Sequence, residues 1–470
     1  MDAMRDLVVF IIKKEYDEIP PDAIETAKKV VLDCIGAIVA GWRTDVSKKV
    51  IALVKHWKGK GEASIYGSGI KAPLPWAVLA NTAMGRILDF DDLHEPAVMH
   101  GGVAVVPTGL NVSEYMGGVT GKDFLASVVL GIDLACRILR APLANPLNSG
   151  ISHSFHGGTF AATAVTCKLL GFDETLFMNA MGIAYSQIAG NTLCVEEGST
   201  NIAIQQGLSS QAGVISALLA SKGITGPRNI LEARRGGYFY TFHSGTFEKQ
   251  ELTRELGNRY EICQLSTKPF PCCKHIHTSI ESIASIIEEN GEILPENIER
   301  IEVGLNERGY QLVGQPISQK RRPKTSVEAI WSLPYAVATA VVKKNVMLED
   351  FTESALENSA VLGLADKVFP YINERIEKSA KGIISPAAVL VKLKDGSSYN
   401  CEKWIVKGHP QNPMDMQEVA RKFRYCAAYS RWLRSSFKIE KIISICNRLE
   451  DIGDMKELSD LITNNNHSEG

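Results

Sequence analysis

The sequence predicts a mainly α protein with a smaller α/β domain, and three observations carry this. Apolar residues recur at helical spacing from about residue 26 to 221. Alternating, strand-like stretches begin only after Cys263. Helical spacing then returns from about residue 406.

Taken in order, Pro20-Pro21-Asp22 is a start signal for a helix over Thr26 to Ala40. Pro73 to Leu88, Phe124 to Arg140, Phe160 to Leu170, Thr175 to Ala189 and Ser209 to Ser221 carry the same spacing. Gly117 to Lys122 lacks the spacer and the Ser/Thr ending of a phosphate loop, because Asp123 follows Lys122; it is expected to be a turn between helices. Thr278 to Glu289 returns to helical spacing through Ile280, Ile283, Ile286 and Ile287. Ile298 to Gly304 alternates as a strand, and Ala388 to Ser397 runs as a strand into a turn from which Tyr399 to Trp404 pairs back. Between these strands, Val327 to Val342 and Leu348 to Leu356 are expected to be helical, as are Met416 to Tyr429 and Phe437 to Leu449 near the end. These readings divide the chain into a first helical part (1–263), a smaller α/β domain (264–405), a helical return (406–450) and a C-terminal tail (451–470), with residues 464–470 disordered.

Composition narrows the function class. A chain of 470 residues, 45% hydrophobic and 22% charged, can bury a large core in roughly two or three domains. A net charge of −2 gives no reason to expect nucleic acid or an anionic membrane as partner. Met1 to Lys14 is too short in apolar residues, and too charged, for a signal peptide or membrane span. The 10 cysteines show no disulfide-like spacing, which fits a reducing, cytoplasmic setting.

Two stretches carry chemistry. Between Asp89 and His100 stand four carboxylates (Asp89, Asp91, Asp92, Glu95) and two imidazoles (His94, His100), directly after an apolar helix-like run. Proton transfer needs donors and acceptors of different pKa on a rigid support, and this cluster supplies them. Asp91 and Asp92 are expected to order the loop. The second stretch, Lys268-Pro269-Phe270-Pro271-Cys272-Cys273-Lys274-His275-Ile276-His277, is a stiff approach to a helix N-terminus, where anions are favoured. Lys268 and Lys274 add charge suited to a carboxylate.

These motifs resemble the 2-methylcitrate dehydratase family (MmgE/PrpD), which includes cis-aconitate decarboxylase and iminodisuccinate epimerase. The family's LDFDDTH…HPG segment is matched by Leu88 to His94 and by His100-Gly101, and its KPYPCCxxxH segment by Lys268 to Cys273 and His277. Further matches are Pro107 to Glu114, Gly158 to Ala162, Gly207 to Gly213, Ser332 to Ala338 and Gly408 to Pro413, so the likeness runs from about residue 5 to 445. The resemblance implies a large all-helical domain with an inserted lid domain, the C-terminal helices packing back on the first part, and a homodimer. It also implies a lyase that removes the α-proton of a small polycarboxylate such as 2-methylcitrate or citrate and expels a β-hydroxyl as water. Asp89, His100, His153 and His277 are the catalytic candidates; Lys268, Lys274 and His94 are the substrate-binding candidates.

Departures matter as well. Leu93 stands where the family has Thr, and Gly101 where HPG has Pro. Ser152 stands where many members place His, with His153 and His156 close by, so a shifted histidine is implied to serve instead. Ile202 stands where decarboxylase-like members carry Lys, which makes dehydration the preferred expectation over decarboxylation. An epimerase using the same proton abstraction, and a non-catalytic metabolite-binding member, are the alternatives.

A structural zinc at Cys272, Cys273, His275 and His277 is not expected, because adjacent cysteines cannot easily point at one tetrahedral centre. No C-x₂-C pair suits an iron–sulfur dehydratase. The expectation is a reaction without metal or cofactor.

Overall fold

The computed structural model describes residues 3–143, 150–380 and 384–463, so the expectation for residues 464–470 lies outside the described residues. The fold is mainly helical with a small mixed sheet, as the periodicity predicts. Helix α1 (Pro21–Gly41) begins at the Pro20-Pro21 signal, with Pro in its first turn where the missing N–H costs nothing. Among the helices that follow are α2 (Leu74–Arg86), α3 (Gly101–Met116), α4 (Gly121–Arg140), α5 (His153–Leu169) and α6 (Asn201–Ser221). Helix α6 lies against α2 and α5. The approach is close: at Gly207 a Cβ would stand 2.7 Å from the Leu79 carbonyl oxygen, so only glycine fits.

The helices Ala3–Lys13 and Asp45–Trp57, and α3, are not among those expected from the sequence. Helix α3 is buried almost all round and contains Pro107, so neither a polar face nor an uninterrupted helical alphabet marks it. The turn expected at Gly117 to Lys122 does join α3 to α4. Two expected helices are broken. Val327 to Val342 divides into Ser326–Ile330 and α8 (Leu333–Lys343; α7 is Lys274–Asn290), because Ser332 caps the second piece by accepting from Tyr335 N at 3.1 Å, with Pro334 in its first turn. Leu348 to Leu356 forms two 3₁₀ turns, Leu348–Phe351 and Glu353–Glu357, rather than an α-helix. Residues 456–463, expected to lie in a tail, form a helix that buries Leu458, Ser459 and Ile462.

Strands β1 (Ile298–Leu305), β2 (Val368–Ile372), β3 (Ala387–Leu393) and β4 (Ser398–Lys403) form one sheet in the order β2-β1-β3-β4. The β1–β2 pair is parallel and the others antiparallel. Helix α7 covers this sheet through its contacts with β3 and β4. Two large apolar clusters result. The first joins the early helices to the C-terminal segments, where α9 (Met416–Ser430) packs on α1. The second gathers residues between Cys272 and Val391, together with Phe155, Cys194 and Ile202 from the earlier chain. A two-residue ladder, Leu93–His94 against Leu265–Ser266, ties the acidic loop after α2 to the start of the second stretch. Among the described residues no helix is long and apolar enough to cross a membrane.

Candidate active site

Helix α2 ends at Arg86, and Asp89 follows in a left-handed conformation with φ of 50°. This places Asp89 back over the last turn, where its carboxylate pairs with the Arg86 guanidinium. Lys268 reaches the same residue, its Nζ 2.8 Å from both Asp89 Oδ2 and the Asp89 carbonyl oxygen. Arg86 also lies 3.4 Å from Asp91 Oδ1, and His100 Nδ1 lies 3.0 Å from Asp91 Oδ2. Two cations and two carboxylates thus form a buried, balanced cluster with one imidazole at its edge. A second ammonium, Lys422 from α9, donates to the Phe90 carbonyl at 2.7 Å and pairs with Asp33 of α1 at 2.6 Å.

The charges set the protonation states. Burial opposes ionisation of Asp89, yet Lys268 and Arg86 beside it hold its carboxyl below the usual range. Burial acts likewise on Asp91, but His100 and Arg86 pull that carboxyl well down. His100 moves below its ordinary 6.5 because burial, aided by the Arg86 charge, outweighs the attraction of Asp91. At neutral pH it is therefore an uncharged imidazole facing an ionised carboxylate.

His100 opens onto a cavity of about 1230 Å³ that Arg86, Ser152, His153 and Ile202 also line. His153 Nδ1 lies 3.3 Å from the Ala97 carbonyl oxygen, and its buried Nε2 has no hydrogen-bond partner among the described residues. Its ring stands edge-on to His243 with centroids 5.3 Å apart, and burial together with His243 lowers its pKa to about 3. The segment after β1, including Arg308, Tyr310 and Lys320, lines the same cavity.

The sequence candidates divide accordingly. His100 and His153 line the cavity, whereas Asp89 and Lys268 stand behind Arg86 and face each other. Lys268 has a folded-state partner in Asp89. His94 is fully buried, with Nε2 3.0 Å from Glu261 Oε2 and Nδ1 accepting from Ala97 N, so no ring nitrogen remains for a substrate. Lys274 is buried 3.5 Å from Glu95 Oε1. His277 is fully buried with Nε2 3.0 Å from the Cys272 carbonyl oxygen and its ring edge-on to Phe270. None of these three lines the cavity. Asp92 orders the loop as expected, its carboxylate accepting from Gly101 N at 3.0 Å and Gly102 N at 2.9 Å at the start of α3.

Sequence reasoning missed Arg86, the pairing of Asp91 with His100, and the cations of the segment after β1. Arg86 had a signal, since a residue three before Asp89 on a helix shares its face. Arg308 and Lys320 had none, lying in an aperiodic stretch of short turns. Among the described residues, the acidic and imidazole groups near enough to share an ion are Asp89, Asp91 and His100, with ligating atoms within 4.8 Å of one another. Arg86 and Lys268 already supply positive charge there, so a divalent ion would have to compete with two fixed cations.

Comparison with known proteins places these features in a family. The MmgE/PrpD N-terminal domain model matches residues 5–250 and the MmgE/PrpD C-terminal domain model residues 270–442. The cis-aconitate decarboxylase of Aspergillus terreus (strain NIH 2624 / FGSC A1156) is 26% identical, covering 94% of this chain and 92% of that protein. The cis-aconitate decarboxylase-like protein oryM of Aspergillus oryzae is 25% identical over 97% of this chain and 96% of that protein. The cis-aconitate decarboxylase of Mus musculus is 24% identical over 93% and 89%. With both domain models matched in order along nearly its whole length, this chain belongs to the MmgE/PrpD family.

Proposed function

We propose that this protein is a lyase acting on a small polycarboxylate, and that it removes water from a substrate such as 2-methylcitrate or citrate by α-proton abstraction. The observation that carries this reading is the Asp91–His100 pair opening onto a cavity whose buried charged groups are cationic. His100 takes the α-proton as an uncharged base, and Asp91 stabilises the imidazolium that forms. Arg86 stands beside it to hold a carboxylate and the negative charge that develops on it as the proton leaves. The imidazolium then carries the proton that the departing β-hydroxyl needs. His153, which lines the cavity with its buried Nε2 unpartnered among the described residues, accepts a hydrogen bond from a substrate hydroxyl.

Decarboxylation is the second reading, supported by the names of the relatives. Against it, the cavity presents Ile202 where the decarboxylase-like resemblance expects a lysine. Incubation with citrate, 2-methylcitrate and cis-aconitate separates the readings. Growth of conjugated-alkene absorbance without CO₂ release supports dehydration, and CO₂ release from cis-aconitate supports decarboxylation. Solvent-deuterium exchange at the α-carbon without either product points to an epimerase. No turnover and no exchange across di- and tricarboxylates would overturn the proposal. The same reading takes the protein as a cytoplasmic homodimer, which sedimentation analysis of the purified chain checks for its oligomeric part.

A further inference from the structure

The cavity that His100 lines also carries positive charge, from Arg308 and Lys320, with no carboxylate in pairing range among the described residues. Arg308 lies in a tight turn just after β1, fixed by Asn306, whose Oδ1 accepts from Gly309 N at 2.8 Å. A π-helical turn, Tyr310–Gly314, follows, a backbone form that recurs at functional sites. Among the described residues Arg308 pairs with no carboxylate, and its buried Nε has no hydrogen-bond partner. Lys320 is 9% exposed, and its Nζ donates to the Trp331 carbonyl oxygen at 2.8 Å, again with no carboxylate in pairing range.

The acids that line the same cavity, Glu196, Glu307 and Glu377, are all solvent-exposed, so water screens them. Withdrawing cations from water without a counter-ion is unfavourable, and burial accordingly lowers the pKa of both Arg308 and Lys320. Lys320 is buried and Arg308 half-buried, and a charge held in this way without a carboxylate partner is matched when an anion arrives.

We infer that Arg308 and Lys320 form a second carboxylate-binding subsite, in the cavity that Arg86 and His100 also line, that selects substrates with two or more carboxylates. This rests on the proposed polycarboxylate chemistry. The planar guanidinium suits a bidentate hold on one carboxylate, and the ammonium adds a point charge beside it. One carboxylate would sit at Arg86 near the reacting carbon and another at Arg308 and Lys320.

The test is titration calorimetry of the full chain and of Arg308→Gln, Arg308→Lys and Lys320→Met, with citrate, 2-methylcitrate and cis-aconitate, and with glycolate as a monocarboxylate control. For the tricarboxylate that wild type binds tightest, Arg308→Gln and Lys320→Met should each weaken binding about 10- to 100-fold. Arg308→Lys should restore part of the loss, and glycolate binding should stay within about twofold. The ligand-free melting temperature of Arg308→Gln should hold or rise, because no protein counter-charge is lost. Tricarboxylate affinity within about threefold of wild type in both charge-removing variants would overturn the subsite. So would a wild type that binds none of the three, or a fall in melting temperature with affinity unchanged. Variant-sensitive binding without any turnover would instead overturn the proposed reaction and leave the subsite standing. Turnover with an unchanged KM in both variants would do the reverse.

Discussion

At the residue scale, the position of a charge relative to its neighbours decides its role more than its chemical type does. Lys268 sits at the stiff Pro-Phe-Pro approach but is 1% exposed and held by Asp89. Lys268→Met should therefore destabilise the protein by on the order of 3 kcal/mol, since removing one partner leaves a buried carboxylate with less compensation. Urea unfolding measures this, and an unchanged midpoint would show that the pair contributes little. His100 and Asp91 give the contrasting case, because their pairing serves the cavity. His100→Gln should lower kcat by about 10²- to 10⁴-fold, and Asp91→Asn should follow it by removing the support for the imidazolium. Both should be read by initial rates beside a melting curve that stays near wild type for His100→Gln. The pH profile has a defined sign. With the His100 pKa held below 6.5, the uncharged base is already populated at neutral pH. Activity should fall only as pH drops below that range, and an acid limb at pH 7 or above would contradict the assignment.

At the scale of elements, the acidic loop is held by three neighbours rather than by its own sequence. Helix α2 supplies Arg86, α9 supplies Lys422, and the first turn of α3 supplies the N–H groups that Asp92 accepts. Asp92 combines opposing effects: burial and the adjacent Asp91 raise its pKa to about 7, while the Gly102 and Gly101 N–H groups favour the ionised form. Its carboxylate also fills the space where a Cβ on Gly102 would stand. Asp92→Ala removes the cap and should cost about 1–2 kcal/mol of stability, measured by denaturant unfolding. Because His100 is the residue just before α3, the same change should also reduce kcat. A variant that lost stability but kept full activity would separate the cap from the catalytic geometry.

At the scale of the whole molecule, the two apolar clusters bring distant stretches of chain to one cavity, and acid sensitivity follows from how its surroundings are buried. Burial lowers the pKa of His153 and His156 to about 3, with neighbouring histidines adding to the shift, and burial lowers that of His243 to about 4. A histidine whose folded pKa is depressed binds its proton first in the unfolded chain. The stability it contributes is complete above the ordinary 6.5 and is lost as pH falls toward the folded value. The urea midpoint should therefore drop steadily from pH 7 to pH 5, and His156→Phe should flatten that slope. A midpoint independent of pH over this range would mean that these imidazoles are accessible to protons in the folded state.

What the sequence determined by itself was the fold class, most helix and strand positions, and the two stretches that carry charge. Periodicity is a local property, so Pro21–Gly41, Gly121–Arg140 and Ile298–Leu305 were legible within a few residues. The Gly- and Pro-bearing helix Gly101–Met116 was not, because a helix buried on every side shows no alternation of faces. The presence of Asp89, His100 and Lys268 could be read, and their partners could not. An ion pair such as Lys268 with Asp89 joins residues 179 positions apart, and no short-range pattern records which charge meets which. The tertiary structure alone decided that His94 is spent on internal partners, that His277 is buried against the Cys272 carbonyl, and that His153 lines the cavity. It also decided that Arg308 and Lys320 line that cavity with no carboxylate in pairing range among the described residues. Burial and orientation are set by packing between elements, and a side chain's chemistry becomes a function only once packing has fixed what it can reach.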